Sequence, residues 1–340
     1  MKILVIQKKR IGDVLTSTIL LEALKEKYPE SELHYLIYPN SVAVVENNPF
    51  LDKIVILDEA TKKTKLKFLS FLFKIRKEKY DIIVDAYGKP NSVIIGWFSG
   101  AKIKITFDKI YSKLLYTHSL VRNKVSFSNA TKAIEHRMLL LKPLGIDFKI
   151  YKPQIILTET EKQEAKTYLI NNKVSFEKPI IMISAVGSRD FKTYPLNYMA
   201  KVIDFIVENT SAQLLFNYTP DQKSIAEELL HLCNSETQKN IYFNVYQNDI
   251  RKFLALTSQC QALIGNEGGA TNMAKALNIP TFTIFSPDVT KEDWNMFENK
   301  TTNISVHLND FLPEEHTYEK FEPKLFLDQL KSFLIYNCNQ

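Results

Sequence analysis

The chain has 340 residues, enough for two domains, and its 45% hydrophobic and 24% charged residues fit a protein with a packed core. Its three cysteines, Cys233, Cys260 and Cys338, lack disulfide or metal-ligand spacing, which favours reduced thiols in the cytosol. No apolar run approaches the roughly 18 residues of a membrane span, and the N-terminus lacks the apolar core of a signal peptide.

The net charge of +6 is unevenly distributed. Residues 1–158 carry 27 Lys and Arg against 15 Asp and Glu, whereas residues 159–340 carry 17 against 23. A basic first half indicates either an acidic partner there or a solvated, lysine-rich surface.

Strands and helices alternate along the first half of the chain. Strands are predicted at residues 3–6, 32–37, 53–57 and 81–85. Helices are predicted from residue 13 to about residue 27 and at 42–47, 65–79 and 130–144, while residues 89–137 as a whole are less regular. This alternation is typical of a parallel sheet with crossover helices.

The same pattern restarts after a proline-containing connection at residues 145–178, which includes a helix at 161–171. Strands are predicted at 180–184, 213–217, 241–244, 262–264 and 281–285, and helices at 195–208, 221–233, 250–257 and 321–336. The sequence therefore predicts an α/β protein with two doubly wound, Rossmann-like domains, 1–158 and 159–322. Residues 323–340 are expected to form a terminal helix that can pack back on the first domain.

The most informative stretch is 266–277, which reads NEGGATNMAKAL and lies between two predicted strands. It follows the carboxyl end of a strand, where ligands bind in open α/β sheets. The helix that begins there favours an anion such as a phosphate, because its first N–H groups and its dipole point outward. Glu267 can hold a hydroxyl or the cationic part of a ligand. The stretch predicts a site for a phosphorylated small molecule.

A second signal is Gly12-Asp13, which follows the first strand. The glycine permits a sharp turn, and Asp13 can serve as a helix N-cap or take part in chemistry. The adjacent Lys8-Lys9-Arg10 run can bind an anion or lie in a solvated loop.

A third signal is the segment 184–195, which leaves one predicted strand and enters a helix through Tyr-Pro. Its small residues, followed by Arg189 and Lys192, suit phosphate oxygens. The motifs of other phosphate- and metal-binding sites are absent. The sequence contains no GxGxxG of dinucleotide-binding folds, no GxxxxGK[ST] of P-loops and no Asp-x-Asp of metal-bridged diphosphate sites, and its six histidines lack the spacing of zinc ligands.

These motifs, in this order, resemble the heptosyltransferase-like glycosyltransferases, which are family 9 and have the GT-B fold. The matching segments of the first domain are 2–6 with 11–15, 21–29, 79–85 (KYDIIVD), 135–137 (EHR) and 139–145. In the second domain, the segment from Ser188 to Pro195 is similar to the family's serine-lysine-aromatic-proline segment, with Lys192 at the position of its lysine. Residues 266–277 resemble its N-D-S-G-x-x-H-x-A-x-A-L motif. The resemblance spans nearly the whole chain.

The resemblance implies a cytoplasmic, inverting, metal-independent glycosyltransferase without a cofactor, whose two Rossmann-like domains face a central cleft. The second domain would bind a nucleotide-diphosphate sugar, typically ADP-heptose, and the first an anionic glycolipid such as a lipopolysaccharide core. The resemblance gives Asp13 the role of general base. It implies that Lys192 and the helix N–H groups stabilise the departing diphosphate. The implied donor-binding residues are Ser188, Lys192, Glu267, Gly268, Gly269, Ala270, Thr271 and Asn272. The acceptor-binding residues are Lys8, Lys9, Arg10 and Gly12.

We also expect a monomer, and no recognition motif supports a nucleic-acid partner. The basic first domain permits contact with the inner face of the cytoplasmic membrane. A basic helix over residues 62–79 is rich in Leu and Phe, which can contact a membrane surface or cover the sheet.

Glu267 replaces an aspartate of the family pattern, Asn272 replaces a histidine and Ile19 replaces a proline. Glu267 and Asn272 leave a non-catalytic or altered-specificity nucleotide-sugar- or glycan-binding protein as one alternative. A nucleotide-sugar epimerase is another alternative, which the missing histidine disfavours.

Overall fold

Parallel β-strands form the centre of each half of the protein. The computed structural model describes residues 1–128 and 130–338, and the chain divides into a first unit, Met1–Ile156, and a second unit that starts at Leu157. The division falls two residues before the end of the first predicted domain. Each unit has its own sheet and its own apolar core.

The first unit is built on a parallel sheet with the order β3-β2-β1-β4-β5-β6. Its strands are β1 Lys2–Ile6, β2 Glu32–Ile37, β3 Lys53–Ile56, β4 Ile82–Asp85, β5 Ile103–Phe107 and β6 His118–Leu120. Its helices are α1 Ile11–Thr16, α2 Ile19–Lys27, α3 Glu59–Lys63, α4 Lys65–Lys77, α5 Pro90–Phe98, α6 Ile110–Lys113 and α7 Lys132–Leu139. The central strands β1 and β4 are almost entirely apolar because helices cover both faces of the sheet.

Three predicted elements of the first unit differ in the structure. The long helix predicted from residue 13 is divided into α1 and α2, because the Thr18 hydroxyl donates to the Leu15 carbonyl at 2.7 Å and interrupts the helix. The helix predicted at 42–47 is a 3₁₀ turn, Pro39–Val44, that begins with proline. The irregular region 89–137 contains α5, β5, α6 and β6.

The second unit is built on a parallel sheet with the order β11-β10-β9-β7-β8. Its strands are β7 Ile180–Ser184, β8 Gln213–Asn217, β9 Ala262–Asn266, β10 Thr281–Ile284 and β11 Asn303–Val306. Its helices are α8 Glu159–Asn171, α9 Leu196–Asn209, α10 Lys223–Leu232, α11 Ser235–Gln238, α12 Ile250–Thr257, α13 Gly269–Ala276, α14 Lys291–Trp294 and α15 Leu327–Cys338.

Two strand predictions in the second unit are corrected. The strand predicted at 241–244 is reduced to a single bridge between Leu214 and Ile241, and the chain then turns away. Conversely, β11 extends the sheet beyond β10, although its short, half-polar sequence gives little strand signal. Within the described residues, no helix has both the length and the hydropathy needed to cross a membrane.

The terminal helix α15 packs into the core of the second unit. Leu330, Phe333 and Leu334 are buried, and the Phe333 ring lies 5.7 Å from the ring of Phe282 on β10. The apolar face of α15 packs against the second unit's own sheet and against α9. The expectation that residues 323–340 can also pack back on the first domain stays a prediction.

This placement predicts different effects for two apolar residues of α15. Phe333→Ala should lower the free energy of unfolding by about 3–5 kcal/mol, because it leaves a cavity in the core. Ile335→Ala should change it by less than about 0.5 kcal/mol, because Ile335 is exposed. Urea unfolding followed by circular dichroism measures both. Equal losses would contradict the placement of α15.

Candidate functional site

Strands β7 and β9 of the second unit are neighbours, and both end at the edge of the sheet where residues 266–277 begin. Ser184, at the end of β7, lies opposite Gly265 of β9 in parallel register. The segment 185–195 leaves the sheet after β7, and residues 267–268 lead from β9 into α13. Both segments therefore start at the carboxyl edge of the sheet, the edge at which open α/β folds bind ligands.

The side chain of Asn266 joins these two segments. Its amide nitrogen donates to the carbonyl oxygens of Ser184 at 2.9 Å and Ala185 at 3.0 Å. Its amide oxygen accepts from the backbone N–H of Tyr194 at 2.7 Å. Asn266 is fully buried, so these bonds are shielded from water. They hold both ends of the 185–195 segment at a fixed distance from the start of α13.

Two glycines permit the close backbone contacts of this edge. A Cβ on Gly187 would lie 2.2 Å from the carbonyl oxygen of Lys192, and one on Gly265 would lie 2.5 Å from that of Ser184. Gly265 also has φ of +130°, a conformation that side chains disfavour. The 185–195 segment can fold back on itself only with glycine at position 187.

Lys192 and Glu267 form an ion pair where the two segments meet, with 2.5 Å between Nζ and Oε1. The Glu267 side chain is almost completely buried, whereas that of Lys192 is 21% exposed. The backbone next to Lys192 is also fixed, because the Ser286 hydroxyl donates to the carbonyl of the preceding residue, Phe191, at 2.6 Å. The structure thus brings together two of the predicted site residues, which lie 75 positions apart in sequence.

The other residues predicted to bind the sugar donor differ in position and in burial. Gly268 is the N-cap of α13, with φ of +157°, and Gly269 and Ala270 form the first turn. The first N–H groups of a helix have no partner within the helix, so they are available to an anion. Thr271 is buried, and its hydroxyl donates to the Asn266 carbonyl at 3.3 Å. Asn272 is half-buried, and Ser188 is exposed in the 185–195 segment.

In the first unit, Asp13 is the third residue of α1 rather than its N-cap, and Gly12 lies within the helix rather than in a turn. The Asp13 carboxylate accepts from Arg137 Nη2 at 2.9 Å. Arg137 of α7 is mostly buried, and it also donates to the Ser17 hydroxyl at 2.7 Å and the Ala133 carbonyl at 2.7 Å. These bonds fix the guanidinium, which in turn orients the carboxylate.

The basic run after β1 is divided by burial. Lys9 and Arg10 are exposed, but Lys8 is buried, with its ammonium 5.2 Å from the ring centre of Tyr87 and 5.9 Å from that of Tyr38. Burial lowers the pKa of Lys8 to about 8, although the Asp85 carboxylate opposes this change. The structure thus separates Lys8 from the exposed loop in which the sequence pattern placed all three cations.

Asp85 ends β4 and is fully buried. Its carboxylate accepts from the backbone N–H groups of Gly88 at 2.9 Å and Tyr87 at 3.1 Å, and from the Tyr116 hydroxyl at 3.3 Å. Burial raises the pKa of Asp85 to about 6, and these hydrogen bonds and Lys8 limit the rise. Asp85 therefore organises the turn after β4.

Sequence reasoning assigned no role to Asn266, Arg137 or Asp85, although each lies in a segment that it quoted. Asn266 and Asp85 are each the polar residue of an otherwise apolar strand, and that pattern is the signal that could have identified them. Arg137 lies in a helix with other charged residues, so its sequence context gives no such signal. Among the residues that the structure describes, no group of three or more His, Cys, Asp or Glu is arranged to hold a metal ion.

Two doubly wound units, with a lysine–carboxylate pair beside a helix N-terminus in the second, define the class as a GT-B-type α/β protein. The sequence profile of glycosyltransferase family 9 (heptosyltransferase) matches residues 68–324, which is more than half of the chain. The chain therefore belongs to glycosyltransferase family 9, and it is an enzyme of the heptosyltransferase type. The family and the fold class predicted from the sequence are confirmed.

Known proteins extend this similarity over most of the chain. Lipopolysaccharide heptosyltransferase 1 of Campylobacter coli is 24% identical over 292 residues, which cover 84% of each protein. A family 9 glycosyltransferase from Veillonella parvula superposes with a TM-score of 0.81 at 16% identity, covering 98% of this chain and 97% of its own. The ADP-heptose lipopolysaccharide heptosyltransferase II of E. coli gives 0.74 at 17% identity, covering 98% and 99%. The two structures share this chain's fold.

The burial of Asp85 predicts a pH dependence of stability. Its pKa in the folded protein is about 6, above the ordinary value of 3.8, so the folded state binds the proton more tightly than the unfolded chain does. The contribution of Asp85 to the free energy of unfolding is therefore greatest below pH 3.8, and it is lost as the pH rises through about 6. Asp85→Asn should remove that decrease, as measured by urea unfolding across this range. An unchanged slope in the variant would contradict the assignment.

Proposed function

We propose that this enzyme transfers a heptose or a related sugar from a nucleotide diphosphate, with ADP-heptose as the first candidate, to a lipopolysaccharide core or a similar anionic glycolipid. Its membership of the family and the names of its relatives support the sugar and the acceptor class. The observation that carries the proposal is the Lys192–Glu267 pair beside the N-terminus of α13. In this proposal the enzyme acts as a monomer on the cytoplasmic side of the membrane.

The start of α13 would bind the diphosphate of the donor. The N–H groups of Gly269, Ala270 and Thr271 point out of the first turn, and the helix dipole adds positive potential. Lys192 supplies a full positive charge beside them. As the bond from the anomeric carbon to the diphosphate breaks, negative charge grows on the phosphate oxygens. The ammonium and the helix N–H groups stabilise that charge, which supports a mechanism that does not depend on a metal.

Glu267 would set the position of Lys192 and contact the sugar. Its Oε1 accepts from the Lys192 ammonium, which leaves Oε2 as a further acceptor for a sugar hydroxyl. Glutamate is one methylene longer than the aspartate of the family motif, so the hydroxyl that it reaches is displaced. Asn272, in place of the family histidine, can donate and accept hydrogen bonds but cannot carry a proton. The proposed sugar specificity therefore depends on these two positions.

Asp13 would act as the general base. Its carboxylate takes the proton of the acceptor hydroxyl, whose oxygen bonds to the anomeric carbon from the side opposite the diphosphate, which inverts the configuration. Arg137 is a positioning residue, because it binds the carboxylate without contacting the reacting atoms. The net positive charge of residues 1–158 favours an anionic acceptor. Exposed Lys9 and Arg10, just before α1, supply part of that charge.

The general base is tested by Asp13→Asn. The amide cannot accept the proton, so the rate of transfer should fall by about 10²- to 10⁴-fold while ADP binding is unchanged. Release of ADP from ADP-heptose in the presence of lipopolysaccharide core gives the rate, and calorimetry gives the affinity. Glu22→Gln, on the adjacent helix α2, is the control and should keep the wild-type rate. A full rate in Asp13→Asn would sink this assignment.

Two substitutions at the ion pair should change ADP affinity in opposite directions. Lys192→Met removes a charged hydrogen bond to phosphate and should weaken ADP binding by about 2 kcal/mol, or about thirtyfold. Glu267→Gln removes a negative charge beside the phosphates and should strengthen ADP binding by about 1 kcal/mol, or about fivefold, while slowing transfer. Calorimetric titration with ADP measures both affinities.

Two further variants serve as controls for this test. Glu267→Asp keeps the charge, and Lys201→Met removes an exposed lysine from α9, so both should leave ADP affinity nearly unchanged. Weaker ADP binding in Glu267→Gln would contradict the proposed role of the pair. Tight ADP binding without transfer from any nucleotide sugar would instead favour the alternative of a binding protein.

A further inference from the structure

Helix α4 has two apolar faces, and the fold uses only one of them. Phe71, Leu72 and Ile75 are buried against the sheet. Leu66, Leu69 and Phe73 are 78%, 46% and 57% exposed. At about 100° per residue, these three side chains fall within one narrow strip on the side of the helix that faces away from the buried residues. The sequence analysis left open whether this helix covers the sheet or meets a membrane, and its geometry permits both.

Helix α5 extends the exposed strip of α4. The ring of Phe98 makes edge-to-face contacts with Phe73, at 5.3 Å between centroids, and with Trp97, at 6.5 Å. Trp97 is 51% exposed, and Ile94, one turn earlier on α5, is also exposed. Leu66, Leu69, Phe73, Ile94 and Trp97 are named here the α4–α5 patch. Apolar side chains thus extend across two helices of the first unit.

Cations border this patch. Residues 60–77 contain seven Lys or Arg and no Asp or Glu. By the helical angle, Lys65 and Arg76 lie on one border of the α4 strip, and Lys67 and Lys74 lie on the other. In the part of the chain that the structure describes, none of these four makes an ion pair within 4 Å. Arg76 donates to the carbonyl of Phe98 at 3.1 Å, so the charges available to an external anionic surface are those of the three lysines.

We propose that the α4–α5 patch docks on the surface of an anionic lipid bilayer. The apolar side chains enter the boundary between headgroups and acyl chains, and the bordering lysines contact the lipid phosphates. A strip of Leu, Phe and Trp between two rows of cations is the pattern of interfacial helices. This proposal deepens the proposed function, because a glycolipid acceptor resides in a membrane. It rests on the proposed function for its biological purpose, whereas the binding to lipid is argued from the patch itself.

The charges favour a bilayer over a second copy of the chain. Two copies meeting patch to patch would bring their lysine borders together, and like charges in a buried interface repel. An anionic membrane surface neutralises the same cations and accepts the apolar strip at once. The structure therefore points to a lipid surface as the occupant.

The first test measures binding of the full-length protein to vesicles without any glycolipid or nucleotide sugar. Vesicles with about a third phosphatidylglycerol should bring the protein to the top of a flotation gradient, and pure phosphatidylcholine should bind at least about tenfold less. The double variant Leu66→Gln/Phe73→Gln should lose at least about tenfold of the binding. Ile170→Gln, an exposed apolar residue on the equally long helix α8, is the matched control and should bind as the wild type.

The second test locates the contact with the chain's own tryptophans. The sequence has two, Trp97 and Trp294, so Trp294→Phe leaves Trp97 as the single reporter. Anionic vesicles should shift its emission to shorter wavelength, and brominated lipids should quench it. The two tests do not depend on catalysis, so a failure of the proposed transfer reaction leaves their results unaffected.

Three outcomes would overturn the proposal. One is equal binding to neutral and anionic vesicles, and another is vesicle binding without any change in Trp97 emission. The third is a dimer in light scattering that Leu66→Gln/Phe73→Gln converts to a monomer, because the patch would then be covered by a second copy. The circular dichroism spectrum of the double variant should match that of the wild type, which shows that the variant is folded.

Discussion

The buried amide of Asn266 is the interaction on which the second unit's site depends. It joins the ends of β7 and β9 to the backbone of Tyr194, so it fixes the 185–195 segment relative to α13. Without it, these two carbonyls and this N–H would each lose a hydrogen bond in a buried site, and a buried polar group left without a partner costs about 1–3 kcal/mol. The contact between Lys192 and Glu267 follows from this link, because the two residues lie on the two segments that the amide connects.

Each charge proposed to act in chemistry has a fixed partner in the protein. Asp13 is held by Arg137, and Lys192 is held by Glu267. Side chains that already occupy their working positions need no reorganisation when a substrate binds, which is the condition under which charges stabilise a transition state most effectively. The partners also have a cost, since a ligand must compete with an existing ion pair. In the proposed mechanism, these ion pairs therefore lower the affinity for bound substrate while they keep Asp13 and Lys192 oriented.

The sequence was sufficient for the fold class and for the ends of most strands, because runs such as Ile180–Ser184 are buried on both sides and their apolar pattern is unambiguous. It was insufficient where hydrophobicity does not decide the structure. Residues 241–244 have the residues of a strand, yet they find only one bridge partner at the sheet edge. For the site, the turn at Glu267–Gly268 was visible as a local pattern. The contacts of Asn266 and Arg137 were not, because they join residues far apart along the chain.

Tyr194 has a consequence for the order in which the protein is made. Its hydroxyl donates to the carbonyl of Phe321, and its ring packs against Phe321 and Phe326 in the core of the second unit. During synthesis Phe321 leaves the ribosome 127 residues after Tyr194, when the first unit has already emerged. The 185–195 segment therefore gains its contact with Phe321 later than its contact with Asn266. A nascent chain thus has its first unit and Asn266 outside the ribosome before the segment that carries Lys192 has both of its anchors.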